Sequence, residues 1–223
     1  QVSEISSPSA SGMSSETLLF DATWTEAGGG AGGGAFVGRM APSQADHPTF
    51  PTYDMKMQAD VLRLAEKGGV PVPNVRWIEL NPDVLGAPFF VMERLRGRVP
   101  ADVPTYLSEG WVFDATSEER KVMQDNTVAA IAKIHAIDVD NQDVGFLEFD
   151  EPGDSPLRRH VANQRSYYEW IATTRRSPLI ERAFTFLESN WPKETSRVVA
   201  WGDSRIGNIM YSNDGFEPVA ILD

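Results

Sequence analysis

Cysteine is absent from the 223 residues, which removes disulfides, thiolate metal sites and a thiol nucleophile. Histidine is scarce: His47, His135 and His160 are all that remains for imidazole chemistry. No apolar run approaches the roughly 20 residues that span a bilayer, and the Ser-rich start lacks the basic and apolar regions of a signal peptide. A cytoplasmic location without a membrane partner is therefore expected. Positive charge is also short, 20 Lys and Arg against 32 Asp and Glu, for a net charge of -12. This argues against a nucleic-acid partner, which needs a basic surface, and suits a cationic small molecule better.

What is present is an ordinary globular composition, 41% hydrophobic and 23% charged, sufficient for a substantial core and two lobes. The chain begins at Gln1 and stops at Asp223, directly after the apolar run Val219, Ala220, Ile221, Leu222. Domains seldom end inside a buried strand, so a second lobe cut short at residue 223 is expected.

Residues 1–11 are Ser-rich and predicted to be disordered. Residues 18–23 and 35–40 read as short strands flanking a flexible hairpin tip that contains Gly28, Gly29, Gly30, Gly32, Gly33 and Gly34. The tract matches G-x-G-x-x-G, but a strand-like segment follows where a dinucleotide site needs a helix. Met57, Val61, Leu64 and Ala65 recur at helical spacing over residues 54–67, and Gly68-Gly69 stops the helix. Residues 75–80 and 88–92 read as strands, giving about five strands and one helix in a first lobe, 1–94. From Glu118 the period changes: Met123, Thr127, Ala130, Ile131, Ile134 and Ile137 mark a long helix. Two more helices are predicted over 166–172 and 179–190, so the second lobe, 95–223, is helical. Residues 95–104, with Gly97, Pro100 and Pro104, connect the two. The fold class is α+β, an antiparallel-sheet lobe followed by a helical one.

The chemistry concentrates in residues 198–223. Asp214-Gly215 between apolar runs signals a hairpin. With Asn213 and Asp214 as the central turn residues and no bulge, Asp223 lies opposite Ser204, and Asn208 opposite Val219. One hairpin then gathers Asp203, Asn208 and Asp223. An amide and a carboxylate can hold Mg²⁺ through hard oxygens while another carboxylate positions and deprotonates a hydroxyl, the division of labour that phosphoryl transfer needs.

The run Trp201-Gly202-Asp203-Ser204-Arg205-Ile206-Gly207-Asn208 resembles the H-G-D-x-x-x-x-N loop of the aminoglycoside phosphotransferase family. Ala220-Ile221-Leu222-Asp223 resembles its metal-binding strand. Val70-Pro71-Val72-Pro73 and Leu85 through Glu93 resemble its approach to the hinge, and Ile131 through Ile137 its long helix. The likeness runs from about Gly12 to the last residue, and is strongest to the uncharacterised actinobacterial subgroup associated with acyl-CoA dehydrogenases. It implies a bilobal, protein-kinase-like fold and an ATP- and Mg²⁺-dependent kinase acting on a small-molecule hydroxyl. By the same resemblance Asp203 is the catalytic base and Asn208 and Asp223 are the Mg²⁺ ligands. Gly12 to Thr17, with Ser14 and Ser15, cover the ATP phosphates, and backbone around Met92, Glu93 and Arg94 meets the adenine.

Three positions depart from the family pattern. Trp201 stands where His is usual, Arg39 where a phosphate-contacting Lys is usual, and Gln58 where its pairing Glu is usual; Arg39 is expected to face Gln58. These departures motivate an alternative, a nucleotide-binding pseudokinase or interaction module without turnover. A hydrolase reading of Gly202-Asp203-Ser204 is disfavoured because no histidine follows His160. His135 reads as a packed or capping residue, and Arg158, Arg159, Arg175 and Arg176 as structural or solvated. Of Trp111, Tyr167, Tyr168 and Trp170, core packing accounts for at least half, with a substrate pocket as the other use.

Overall fold

The computed structural model describes residues 1–7, 15–42, 49–194 and 196–223. The chain forms two compact units, residues 1–138 with 198–223, and residues 139–197. Among the described residues no helix is long and apolar enough to cross a membrane.

The first unit is built on a four-stranded antiparallel sheet of β1 (Glu16–Thr25), β2 (Ala31–Met40), β3 (Val75–Glu79) and β4 (Phe89–Glu93), in the order β1-β2-β4-β3. In the place of a fifth full strand, Val2 and Ser6 make single bridges to Ala22 and Leu19. Residues 1–7 therefore follow the sheet edge, where disorder is predicted from their serines. Ser3 N–H donates to Asp21 O at 2.8 Å, and Leu19 N–H to Ser6 O at 2.7 Å. The edge strand's backbone groups need partners, and this segment supplies them.

The glycine tract also differs from its expected form. Only residues 26–30 form the tip, and Gly32, Gly33 and Gly34 are paired strand residues opposite Trp24, Thr23 and Ala22. Glycine carries no β pattern of its own, but here it makes room. A Cβ at Gly33 would lie 2.8 Å from Ala22 O, and one at Gly34 3.2 Å from the Phe36 ring. On the face of Gly34, Trp24, Phe36 and Trp77 contact one another, with ring centroids 5.3 to 6.0 Å apart.

Helix α1 (Met55–Lys67) starts where Asp54 accepts a hydrogen bond from Met57 N–H at 2.8 Å. Its buried Met55, Ala59 and Leu62 pack with Ala41, Val75, Phe90 and Met92 on the opposite sheet face. Each large apolar side chain so buried contributes about 1.5–3 kcal/mol. Helix α2 (Ser117–His135) opens with a reciprocal capping box between Thr116 and Glu119. These hydrogen bonds hold the Glu119 carboxyl below its ordinary range. Its buried face is Met123, Thr127, Ala130 and Ile134, all among the residues that mark the helix in the sequence.

The second unit contains α3 (Pro156–Ile171) and α4 (Pro178–Ser189). Helix α3 begins ten residues ahead of its predicted start because Ser155 caps it and Pro156 occupies its first position. Tyr168 is buried and its hydroxyl accepts from Ser177 N–H at 2.6 Å. Arg158, Arg159 and Arg176 each hold a carboxylate, from Glu188, Glu148 and Glu181 respectively.

Candidate active site

Arg39 sits near the end of β2, opposite Thr17 and Phe90. Strand alternation turns it to the α1 face, away from Phe36. Its Nε and Nη2 donate to Ser15 Oγ at 3.1 and 2.8 Å, and its Nη1 to Leu222 O at 3.1 Å. The same Nη1 lies 3.3 Å from Asp223 Oδ1; the Arg39 side chain is only 13% exposed, whereas that of Asp223 is 52% exposed. Arg39 thus spends its donors on Ser15 and the end of the chain, and Gln58 is not among its partners. A fork-shaped guanidinium can reach two elements at once, which explains why the expected Arg39–Gln58 pairing is replaced. Gly12 and Ser14 lie outside the described residues, and Ser15 is buried.

Two short strands, β5 (Ile209–Tyr211) and β6 (Pro218–Ile221), form the hairpin. Its register is not the predicted one. Ile209 pairs with Ile221, Met210 with Ala220, and a bulge brings Tyr211 against Pro218. Proline cannot donate to a ladder, and Ser212 N–H instead reaches Glu217 O at 2.9 Å around a longer loop. The shift moves Asp223 away from Ser204. Leu222 N–H donates to Asn208 O at 2.9 Å, so Asp223 directly follows the partner of Asn208.

The loop before β5 folds around Asp203. Arg205 N–H donates to Asp203 O at 2.8 Å, and Asn208 N–H to Arg205 O at 3.0 Å. The buried Asn208 directs its Nδ2 to Asp203 O at 3.0 Å and to Asp203 Oδ2 at 2.9 Å. Arg205 Nε donates to the same Oδ2 at 3.1 Å. Asp203 Oδ1 has no partner among the described residues, and the side chain is 71% exposed. Asp102 first, and Asp203 second, raise Arg205 above its already high ordinary pKa, so its charge is permanent. Trp201 Nε1 donates to Asp223 O at 2.8 Å.

The hairpin is held from behind by Arg98. Its main chain bridges Tyr211 in both directions at 2.9 Å, and its side chain donates to Ser212 O and Gly215 O at 3.1 and 2.9 Å. The guanidinium lies 4.2 Å from the centroid of Trp111, which packs on Tyr211 and Phe216. Trp111 is thus a packing residue. Arg98 and Asp102 were not legible as site residues. More than 100 residues separate them from the loop, and a lone Arg or Asp in a Pro-rich connector carries no spacing signal. Arg205 had one, a cation two residues from Asp203.

Beside β4, Glu93 N–H donates to Asn74 O at 3.0 Å and Arg94 N–H to Ala35 O at 2.9 Å, so both amides are engaged in the sheet. The Arg94 side chain pairs with Asp21 at 2.6 Å, and that of Glu93 pairs with Arg76. Among the described residues no cluster of three or more His, Cys, Asp or Glu has a metal-site arrangement. One amide and one carboxylate remain as donors: Asn208 points its nitrogen into the loop, which leaves its Oδ1 available, and Asp223 commits Oδ1 to Arg39. Two hard oxygens suit an ion that takes its other ligands from phosphate and water.

A family model described as "Phosphotransferase enzyme family" matches residues 24–223. The chain is 27% identical over 222 residues to "Probable acyl-CoA dehydrogenase IBR3" of Arabidopsis thaliana, covering 95% of this chain and 25% of that protein. It is 24% identical over 185 residues to "Acyl-CoA dehydrogenase family member 10" of Mus musculus, covering 83% of this chain and 16% of that protein. The chain therefore spans a quarter or less of the length of these curated relatives. In fold it is similar to the crystal structure of a "putative aminoglycoside phosphotransferase" from Ralstonia eutropha JMP134. The TM-score is 0.65 at 21% identity, over 99% of this chain and 58% of that one.

Proposed function

This chain belongs to the phosphotransferase enzyme family, and from that premise we propose that it transfers the γ-phosphoryl group of ATP to a hydroxyl of a small molecule. The observation that carries the proposal is the state of Asp203: Asn208 and Arg205 both hold Oδ2, and Oδ1 faces out unpartnered. A general base needs one oxygen fixed and the other open to the proton it takes. The acceptor hydroxyl donates to Oδ1, its oxygen forms the new bond to the γ-phosphorus, and its proton passes to Asp203. The bond from γ-phosphorus to the bridging oxygen breaks and ADP leaves. Asn208 Oδ1 and Asp223 would hold Mg²⁺, which when bound supplies neutralising charge to the phosphate oxygens. Arg39 and Ser15 would receive the phosphates of the nucleotide. The net charge of -12 and the exposed carboxylates of Asp102, Asp203 and Asp223 favour a cationic acceptor.

A second reading, nucleotide binding without turnover, is favoured by one contact: Arg39 already pairs with Asp223. Calorimetry with ATP, with and without Mg²⁺, together with ADP release in the presence of a panel of hydroxylated acceptors, tests both. Mg²⁺-dependent ADP release supports the transferase. Binding without release supports the alternative, and no binding at millimolar ATP rejects both.

A further inference from the structure

We propose that Asp102 is a positioning residue for Asp203, acting through Arg205 to keep one oxygen of that carboxylate open; this rests on the reading of Asp203 as the base. Arg205 Nη1 meets both carboxylate oxygens of Asp102, at 2.8 and 2.7 Å, while its Nε meets Asp203 Oδ2 at 3.1 Å. One guanidinium is therefore shared between two carboxylates that lie 101 positions apart in the chain, from Asp102 to Asp203.

A guanidinium left with a single carboxylate tends to close on it as a fork, two N–H groups to two oxygens. Arg205 is only two positions from Asp203 and already touches Oδ2. Without a competing partner it would rotate until a second N–H reached Oδ1. That is the oxygen which must receive the acceptor's proton. Asp102 supplies the competitor: it draws the Nη1 end aside, so Arg205 gives Asp203 one donor on one oxygen. Asn208 takes the same oxygen at 2.9 Å, and the two donors together orient the carboxylate with Oδ1 outward.

Gly207 provides an independent sign that this pair has a place made for it. A Cβ at 207 would lie 2.5 Å from Arg205 Nη1 and 3.2 Å from Asp102 Oδ1. Any side chain there would push the guanidinium off Asp102. The pair is about half exposed on both sides, 46% and 57%, so solvent screens it and it contributes little to folding. Its effect is on orientation, which makes it separable from stability by mutation.

The test measures ADP release from Mg²⁺-ATP by the intact protein, with water or an excess of the acceptor found above. Asp102→Asn is expected to lower kcat about 10- to 100-fold, the size of loss that follows a misplaced reacting group. The KM for ATP and the melting temperature should stay unchanged. Asp102→Glu, which keeps the charge, should recover most of the rate, and Gly207→Ala should reproduce the loss. A crystal structure of Asp102→Asn should show Arg205 forked across both oxygens of Asp203. A kcat within about twofold of the parent would overturn the proposal, as would a loss accompanied by an equal fall in ATP affinity and melting temperature. Should the parent itself release no ADP, the assignment of Asp203 as base fails on its own. The crystal structure then decides the role of Asp102: a forked Arg205 supports it, and an Arg205 that has not moved overturns it.

Discussion

Trp201 and Asp223 are joined by a hydrogen bond from the indole N–H to the main-chain carbonyl oxygen, 2.8 Å long. Position 201 is where the family resemblance places a histidine, and the indole supplies the same kind of donor without a titrating group. The bond fixes the main chain of Asp223 while Arg39 holds its carboxylate. Trp201→Phe keeps an aromatic ring and removes the donor. One neutral hydrogen bond has a net worth of about 1 kcal/mol, so the Mg²⁺ concentration for half-maximal ADP release should rise about fivefold. Trp201→His, which retains an N–H, should raise it less. A Mg²⁺ titration that is the same for the parent and the Phe variant would remove Trp201 from the site.

Tyr211 is fully buried, and its hydroxyl lies 2.7 Å from Thr127 Oγ1, which donates onward to Met123 O at 2.8 Å. Tyrosine is therefore the donor in the first bond. Burial pushes the phenol above its ordinary value. For a group whose folded pKa is raised, the native state binds the proton more tightly than the unfolded chain. The stabilisation is fully present below the unfolded value, about pH 10, and is lost as pH rises through the folded value. Denaturant melts should show stability declining above about pH 10, with this residue contributing at most about 1.4 kcal/mol per pH unit. Tyr211→Phe should be less stable at neutral pH by about 1 kcal/mol and should decline less steeply in alkali. Parallel curves for the two proteins would contradict the assignment.

The glycines of the β1–β2 hairpin make unequal demands, and paired substitutions should separate them. At Gly28 a Cβ meets nothing within 4 Å, whereas at Gly33 it meets Ala22 O at 2.8 Å. Gly28→Ala should be neutral or stabilise by about 0.4–1 kcal/mol, because the unfolded chain loses freedom. Gly33→Ala should destabilise by about 1–3 kcal/mol, since a backbone carbonyl cannot give way as a side chain can. Equal melting temperatures for the two variants would show that the strand is not packed as described.

How much of this was legible depended on whether the signal was local. The Gly68-Gly69 stop of α1 and the apolar spacing of Met123, Thr127, Ala130 and Ile134 in α2 were legible because stop signals and periodicity act within a few residues. The proximity of Asp203 and Asn208 was legible for the same reason. The hairpin register was not: Asn213, Asp214 and Gly215 signal a two-residue turn, but Pro218 has no N–H to donate and the pairing slips to accommodate it. Gly32 to Gly34 read as a tip because glycine lacks a β-pattern, and their use became visible only with Trp24 against Gly32, Phe36 against Gly34 and the Ala22 carbonyl against Gly33. Arg39 was placed correctly on its strand, but its partners Ser15 and Asp223 come from opposite ends of the chain. No spacing rule links such positions.

The two aspartates that flank the hairpin should fail in different ways. In Asp203→Asn the amide can turn its carbonyl oxygen toward Asn208 Nδ2 and Arg205 Nε, the two donors that now hold Oδ2. The loop is kept, but an NH₂ group then stands where the open oxygen was, and it cannot take a proton. ADP release should fall by about 10²–10⁴-fold, the usual contribution of a general base, while ATP affinity stays nearly unchanged. Asp223→Asn removes the counter-charge of Arg39 as well as a charged oxygen from the expected Mg²⁺ position. Calorimetry should show Mg²⁺-dependent ATP binding weakened together with turnover. Binding measured in EDTA should be retained or improved, because Arg39 is released to meet phosphate. If both variants lost ATP binding equally, or if Asp203→Asn kept full activity, the division of labour between base and metal ligand would be wrong even with the fold intact.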